Sequence, residues 1–152
     1  MKFADYAVGQ VIEGGPYAVT AEEIIRFAKA YDPQWFHVDA EHAREGRFGG
    51  LIASGWHTCA IAMRMAVDAA LDDSESLASP GIEQVRWPHP VRPGDVLRLR
   101  ATVTEVRISR KQPTLGIMRW AIRMRNAADI EVLSFDATSL FDLSAPPRRA
   151  RK

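Results

Sequence analysis

The segment YDPQWFHVD, residues 31–39, carries an aspartate and a histidine five positions apart in a loop that a proline interrupts. Such a loop can fold back so that Asp32 and His37 converge on one point, with Trp35 and Phe36 shielding that point from bulk water. A carboxylate and an imidazole that share one water can polarise it and carry its proton, which is general acid–base chemistry. In the structural alternative, Asp32 caps a turn and His37 is an ordinary half-buried histidine. Because one Asp–His pair in a loop is a weak signal, the spacing alone favours this alternative.

A second segment, FGGLIASGWHT at residues 48–58, changes from a glycine-containing loop into an apolar helix. Ser54 and Gly55 lie at the predicted start of this helix, where unpaired backbone amides and the helix dipole favour negative charge. A carbonyl oxygen that gains charge during a reaction would be stabilised there, and losing one such donor typically costs about 3–4 kcal/mol. Close packing of the backbone also requires glycine, so this second explanation of Gly55 stays open.

The other histidines and the arginines give weaker signals. His57 shares a helical stripe with Arg64 and Asp68, which favours a structural contact, whereas His42 lies in a charged stretch and is expected to be exposed. His89, between two prolines, has no assignment. No histidine pair has the spacing of a metal site and no glycine-rich phosphate loop is present, so we expect neither a metal nor a cofactor. Arginines on strand faces suit a phosphate-bearing ligand, although a solvated sheet face is the favoured explanation.

Two helices are predicted around the Asp–His segment. A capping box at residues 20–23 begins the first helix, and Pro33 ends it near Tyr31. Asp39 can cap a second, short helix that ends at Gly46.

The fold class follows from one long helix and three strands. Residues 55–71 are apolar on nearly every side of a helix, which indicates a buried helix, and residues 72–80 are expected to be a polar connection. Apolar residues alternate with polar ones over 97–103, 118–124 and 133–137, which predicts strands. The economical packing is an α+β fold in which a curved antiparallel sheet wraps around the apolar helix. The sheet edge then needs a partner, which favours a dimer.

Length and composition limit the possible classes of protein. The chain has 152 residues, of which 47% are hydrophobic, and its formal net charge is +1. One domain over residues 1–144 and a basic, disordered tail over 145–152 are expected. The balanced charge gives no indication of nucleic-acid binding, and the single cysteine, Cys59, excludes an internal disulfide. No apolar segment has the ~20 residues that cross a bilayer, so we expect a cytoplasmic protein with no membrane partner.

Together the two segments resemble the MaoC-like dehydratases, which are relatives of the (R)-specific enoyl-CoA hydratases with the hotdog fold. That family has a motif of the form D-x-N-P-x-H before its central helix, and Asp32 and His37 match its two catalytic positions. The family's downstream element F-G-x-x-I-A-x-G is matched by Phe48, Gly49, Ile52, Ala53 and Gly55. The resemblance covers roughly residues 8–142, and it implies a homodimer or dimer of dimers with active sites at the subunit interface.

The resemblance also implies an activity. Asp32 and His37 would activate the water that is added to, or eliminated from, a 2-enoyl-CoA or the same acyl group on a carrier protein. The backbone amide of Gly55 would hold the thioester oxygen, and Ser54 would lie near the active site. No cofactor is implied by this chemistry.

The chain departs from the family motif at two positions. Gln34 and Trp35 replace the motif's Asn and Pro, and Trp56 adds bulk at the start of the central helix. With Phe36 and Ser54, these residues are expected to contact the substrate and to reshape the rim of its pocket. A short or unusual acyl pocket that disfavours long straight chains is therefore expected.

Two other functions stay open beside hydration. In a hotdog thioesterase, the water attacks the thioester carbon and releases a free thiol. A non-catalytic subunit would bind acyl-CoA without turnover, and the altered motif is compatible with it.

Overall fold

The computed structural model describes residues 1–144, whose strands form one antiparallel sheet. The strands are β1 (Val11–Ala18), β2 (Ser76–Arg86), β3 (Val96–Ile108), β4 (Leu115–Arg125) and β5 (Glu131–Asp142), in the spatial order β1-β3-β4-β5-β2. The three predicted strands are confirmed as β3, β4 and β5. Buried and more exposed residues alternate along most of β3 and along β4, whereas residues 132–135 of β5 are all buried. Strand β3 shifts register against β4 between Val103 and Glu105, where the predicted alternation over 97–103 ends.

Strands β1 and β2 are not predicted by the sequence pattern. Strand β1 contains Gly-Gly-Pro and shifts register between Gly14 and Tyr17, which interrupts any alternation. Strand β2 is exposed at almost every position and contains Pro80, which an edge strand tolerates. The expectation of a polar connection over residues 72–80 is therefore wrong from Ser76 onwards.

Short helices precede and surround the segment with Asp32 and His37. They are the 3₁₀ turn Phe3–Asp5 and the helices α1 (Ala21–Tyr31), α2 (Trp35–Val38) and α3 (Ala40–Glu45). The hydroxyl of Thr20 accepts a hydrogen bond from the amide of Glu23, as the predicted capping box requires. The other half of that box is wrong, because the carboxylate of Glu23 is held by Tyr17 and His57 instead. The cap of α3 at Asp39 and its end at Gly46 are confirmed.

The central helix α4 (Gly55–Ala66) continues into a π-helical turn (Val67–Leu71), over the predicted range. Its buried side chains join those of the sheet in one core, which includes Ile61, Met65, Leu97, Leu99, Met118, Trp120, Met124 and Leu133. The α+β arrangement of a sheet around an apolar helix is thus confirmed. Two apolar side chains of α4 are exposed, Trp56 by 60% and Met63 by 55%, so one face of the helix is not covered within a single chain.

Two further predictions concern membrane-spanning segments and the C-terminal tail. Among residues 1–144, no helix is both long and apolar enough to cross a bilayer. The tail predicted at residues 145–152 lies outside the described residues.

Candidate active site

The end of α1 and the single turn of α2 bring Asp32 and His37 together. Asp32 is the C-terminal cap of α1, and the following Pro33 prevents the helix from continuing. The amide of Gln34 donates to the carbonyl of Asp32, at 2.8 Å, which folds the loop back on itself. As a result, Oδ2 of Asp32 lies 3.4 Å from Nε2 of His37.

The imidazole of His37 is buried and its orientation is fixed by one backbone group. Its Nδ1 lies 2.7 Å from the carbonyl oxygen of Ile52. A carbonyl can only accept, so this contact assigns the hydrogen of the neutral ring to Nδ1 and leaves Nε2 as an acceptor. The ring of Phe36 contacts the imidazole edge-on, with 4.4 Å between centroids. The lone pair of Nε2 is therefore directed at the carboxylate of Asp32.

Hydrogen bonds keep Asp32 ionised. The hydroxyl of Ser54 donates to its Oδ2 at 2.7 Å, and the amide of the Gln34 side chain donates to its Oδ1 at 2.8 Å. The bond from Ser54 is the main cause that lowers the pKa of Asp32. Burial, the next largest effect, raises it, and the bond from Gln34 and the charge of His37 in its protonated form lower it. An ionised carboxylate and the Nε2 of a neutral imidazole are both acceptors, so one water within reach of both can donate a hydrogen to each.

The start of α4 forms the opposite side of this site. Ser54 is fully buried, and its hydroxyl accepts a hydrogen bond from the amide of Trp56 at 3.3 Å, so it caps α4 while holding Asp32. The amide of Gly55 belongs to the first turn of α4 and has no carbonyl partner within the helix. A β-carbon on Gly55 would lie 2.6 Å from Cε2 of Trp87. Close packing against Trp87 therefore explains why residue 55 is glycine, which is the second explanation that the sequence left open.

These groups line a cavity of about 410 Å³. Of the predicted site residues, its walls contain Asp32, Gln34, His37, Gly55 and Trp56. The cavity combines acid–base groups, a helix N-terminus and apolar walls, which is the composition expected of a small-molecule site.

Other walls of the cavity come from a segment with no catalytic signal in the sequence. Residues 87–91, which follow β2, line the cavity together with Val132 of β5. Trp87 meets Trp56 edge-on, with 5.5 Å between ring centroids. His89, which has no assignment from the sequence, is half-buried in the same wall. The position of His89 depends on the pairing of β2 with β5, so its neighbours in the sequence do not predict that it lines the cavity.

Within residues 1–144, the walls of this cavity do not include Trp35 or Phe36. Phe36 covers the edge of His37, as described above. The indole of Trp35 turns away and stacks on His42, with 4.5 Å between ring centroids. Gln34, rather than Trp35, is thus the substituted motif residue that faces the cavity.

His57 has the structural role expected from the sequence. It is buried, its Nε2 lies 3.3 Å from Oε1 of Glu23, and its ring stacks on Phe27. Burial is the main cause that lowers the pKa of His57. The expected exposure of His42 is also confirmed. Across residues 1–144, no three His, Cys, Asp or Glu side chains come together as a metal site.

The role of Ser54 predicts a change in pH dependence. Because the folded state lowers the pKa of Asp32, its ionisation contributes stability above the pKa of the unfolded chain, and this contribution is lost as pH falls through the folded pKa. Ser54→Ala removes the main cause of the lowering. We therefore expect the variant to lose less stability on acidification than the wild type, after an overall loss of about 1 kcal/mol from the missing cap.

The measurement is the free energy of unfolding in urea at neutral and acidic pH. Ser74→Ala is the matched control, because Ser74 is also buried but its hydroxyl contacts only backbone groups. An unchanged pH dependence in Ser54→Ala would show that this hydroxyl does not set the ionisation of Asp32.

Comparison with known proteins identifies the family of the chain. A family model described as the MaoC-like domain matches residues 4–119, which is more than half of the chain. The crystal structure of a MaoC-like dehydratase from Rhodospirillum rubrum superposes with a TM-score of 0.85 at 36% identity, covering 94% of this chain and 97% of that one. The uncharacterized protein YdeM of Bacillus subtilis is 32% identical over 143 residues, covering 92% of this chain and 98% of YdeM.

A further relative carries an activity in its name. The 3-hydroxyacyl-thioester dehydratase Z of Mycobacterium tuberculosis is 42% identical over 86 residues, which is 55% of this chain and 56% of that protein. The family predicted from the segments around Asp32 and Gly55 is thereby confirmed. The chain belongs to the family of proteins with a MaoC-like domain, and its fold is the hotdog fold of the MaoC-like dehydratases.

Proposed function

We propose that the protein is a hydratase or dehydratase that adds water to, or removes it from, the double bond of a 2-enoyl thioester. The observation that carries this proposal is the approach of Asp32 Oδ2 and His37 Nε2 to 3.4 Å in the wall of a cavity. The dehydratase name of the relative from Mycobacterium tuberculosis, which aligns over about half of its length, supports the same reaction.

The proposed reaction uses one water held by the pair. In hydration, the water oxygen bonds to C3 of the enoyl group, and the electron pair of the double bond moves towards the thioester oxygen. Asp32 and His37 take a proton from the water and return one to C2, so that a 3-hydroxyacyl thioester results. Elimination is the reverse. Because the two groups are coupled, the proton belongs to the pair rather than to one assigned residue.

The start of α4 stabilises the charge that develops on the thioester oxygen. An enolate there would receive the amide hydrogen of Gly55 and the positive end of the helix dipole. Ser54 acts as a positioning residue, since it reaches the reaction through Asp32. Gln34 and Trp56 line the same cavity and are proposed to contact the substrate. Neither a metal nor an organic cofactor enters this mechanism.

The shape of the cavity suggests a short acyl group. Trp56 and Trp87 form an aromatic wall, and Pro88 and Pro90 stiffen the segment beside it. A thioester of coenzyme A is the proposed substrate, and an acyl-carrier thioester presents the same reacting atoms. Such a substrate would place the protein in cytoplasmic fatty-acid or related acyl-thioester metabolism.

The free edge of the sheet suggests a homodimer. Strand β2 pairs with β5 on one side only, and its Leu77 and Ile82 are exposed. Trp56 and Trp87 are exposed beside this edge, so a second copy paired along β2 would cover them and complete the rim of the cavity. A fully active monomer in solution would exclude the proposed homodimer.

The test is a panel of enoyl-CoA thioesters, in which loss of the conjugated double bond and release of free thiol are followed together. We expect hydration without thiol release, and faster turnover of crotonyl-CoA than of dodecenoyl-CoA because the aromatic wall limits chain length. Butyryl-CoA, which lacks the double bond, is the control and should not react. Thiol release from butyryl-CoA would instead identify a thioesterase, and binding without any turnover would identify a non-catalytic subunit.

A further inference from the structure

A second cavity, of about 430 Å³, lies on the outer face of the sheet. Arg98 and Arg100 of β3 and Arg123 and Arg125 of β4 line it, and we call it the arginine groove. Alternation along β3 turns these side chains away from neighbours such as Leu99, which is buried in the core. The arginine groove therefore opens on the face of the sheet opposite to α4.

The register of β3 and β4 concentrates positive charge in this groove. Arg98 pairs directly with Arg125, and two positions along, Arg100 pairs with Arg123. Like charges directly opposite each other on neighbouring strands destabilise a sheet. The sheet thus keeps two repulsive pairs side by side, and a bound anion would relieve both.

The groove also contains the carboxylates of Glu13 and Asp129, and the ion pairs within and beside it are long. The ion pairs are Arg100–Glu13 at 3.4 Å, Arg123–Asp136 at 3.6 Å, and Arg125 with Asp129 at 3.3 Å and Glu131 at 3.9 Å. All are longer than the roughly 2.7–2.9 Å of a strong charge-assisted hydrogen bond. Within residues 1–144, Arg98 forms no ion pair with a carboxylate.

Backbone groups shape the groove and hold two of its arginines. Carbonyl oxygens accept hydrogen bonds from Arg123, at Ile122, and from Arg125, at Asp129. The side of the groove next to β1 is formed by Glu13 and the backbone of Gly14 and Gly15, where the strand shifts register. The result is an open trough with guanidinium groups along it.

We propose that the arginine groove binds the pyrophosphate group of a nucleotide. Planar guanidinium groups match pairs of phosphate oxygens, and several of them together suit a ligand with adjacent phosphates. The volume lies within the roughly 300–1,000 Å³ of small-molecule sites. The pyrophosphate can belong to a free nucleotide or to a coenzyme A thioester. This site goes beyond the proposed hydration, because it lies on the other face of the sheet from Asp32.

Calorimetric titration with ADP at low salt tests the proposal. We expect saturable binding at one site per chain, weakened by added salt because exposed charges are screened. The variant R98A/R125A removes one repulsive pair, so it should fold, and it should bind ADP at least about tenfold more weakly. The matched control is R107A/R110A, which removes the same charge from arginines outside the groove and should keep wild-type affinity.

Two further arms identify the source of the pyrophosphate. If coenzyme A displaces ADP, and R98A/R125A weakens the calorimetric binding of coenzyme A but not of pantetheine, the pyrophosphate of a coenzyme A derivative occupies the groove. If ADP binds without such displacement, the ligand is a free nucleotide. Absence of saturable binding of ADP and coenzyme A, or equal affinity in R98A/R125A, overturns the proposal. Because binding is measured without turnover, a failed hydration assay leaves this result independent.

Discussion

His37→Ala lowers kcat/KM for hydration of crotonyl-CoA by about 10²–10⁴-fold, the range expected when a general acid–base group is lost. Asp32→Asn has an effect of the same order, since it removes the negative charge while keeping an oxygen that can accept from Ser54. Both losses follow from the geometry, in which Nε2 of His37 and Oδ2 of Asp32 lie 3.4 Å apart and both act as acceptors for one water. The measurement is the initial rate of loss of the conjugated double bond.

The matched control for this experiment is His42→Ala. His42 lies on the neighbouring helix α3, is exposed, and stacks on Trp35 away from the cavity, so its removal should leave kcat/KM unchanged. Urea unfolding of each variant separates a catalytic effect from a structural one. Wild-type rates in both His37→Ala and Asp32→Asn would exclude the roles assigned to them.

Gly55→Ala is expected to destabilise the protein and to impair hydration together. A β-carbon on Gly55 would lie 2.6–2.9 Å from three atoms of the Trp87 indole, closer than real contacts allow. Overpacking of this kind typically costs about 1–3 kcal/mol. Moving the start of α4 by a fraction of an ångström also misplaces the amide proposed to hold the thioester oxygen, and a misplacement of about 1 Å can cost about 10²-fold in rate.

A double variant separates the clash from a general loss of stability. Gly55→Ala combined with Trp87→Leu relieves the overlap, so the free energy of unfolding should recover relative to Gly55→Ala alone. Gly50→Ala is the control, because a β-carbon on Gly50 meets only Arg92 Nη1, at an ordinary 3.6 Å. If Trp87→Leu does not restore any stability to Gly55→Ala, the contact between α4 and Trp87 is not what requires glycine.

Local patterns predict the elements that carry their own signals. Strand β3 buries every second residue from Leu97 to Val103, and α1 begins at the hydroxyl cap of Thr20, so both are readable from neighbours in the chain. The spacing of Asp32 and His37 is likewise local, because one helix end and one helical turn place both, and elementary rules of alternation and capping describe such elements. The contacts that orient the two side chains are not local, since they come from Ile52 and Ser54.

The elements that escape prediction depend on distant partners. Strand β2 shows no alternation because it lies at the edge of the sheet and is exposed along its length. Consequently the sequence around Trp87 and His89, which follow β2, does not predict that they line the cavity. Trp35 shows the converse: its position in the motif suggests a place in the pocket, but stacking on His42 takes the indole outward.

The most direct test of the central claim is a double-mutant cycle on hydration of crotonyl-CoA, with the wild type, Asp32→Asn, His37→Ala and the double variant. Groups that act as one unit give penalties far from additive. We therefore predict that the double variant is about as active as the worse single variant. Two results would contradict a water shared by these two side chains. One is that the rate losses of the single variants multiply in the double variant, and the other is that either single variant hydrates crotonyl-CoA at the wild-type rate.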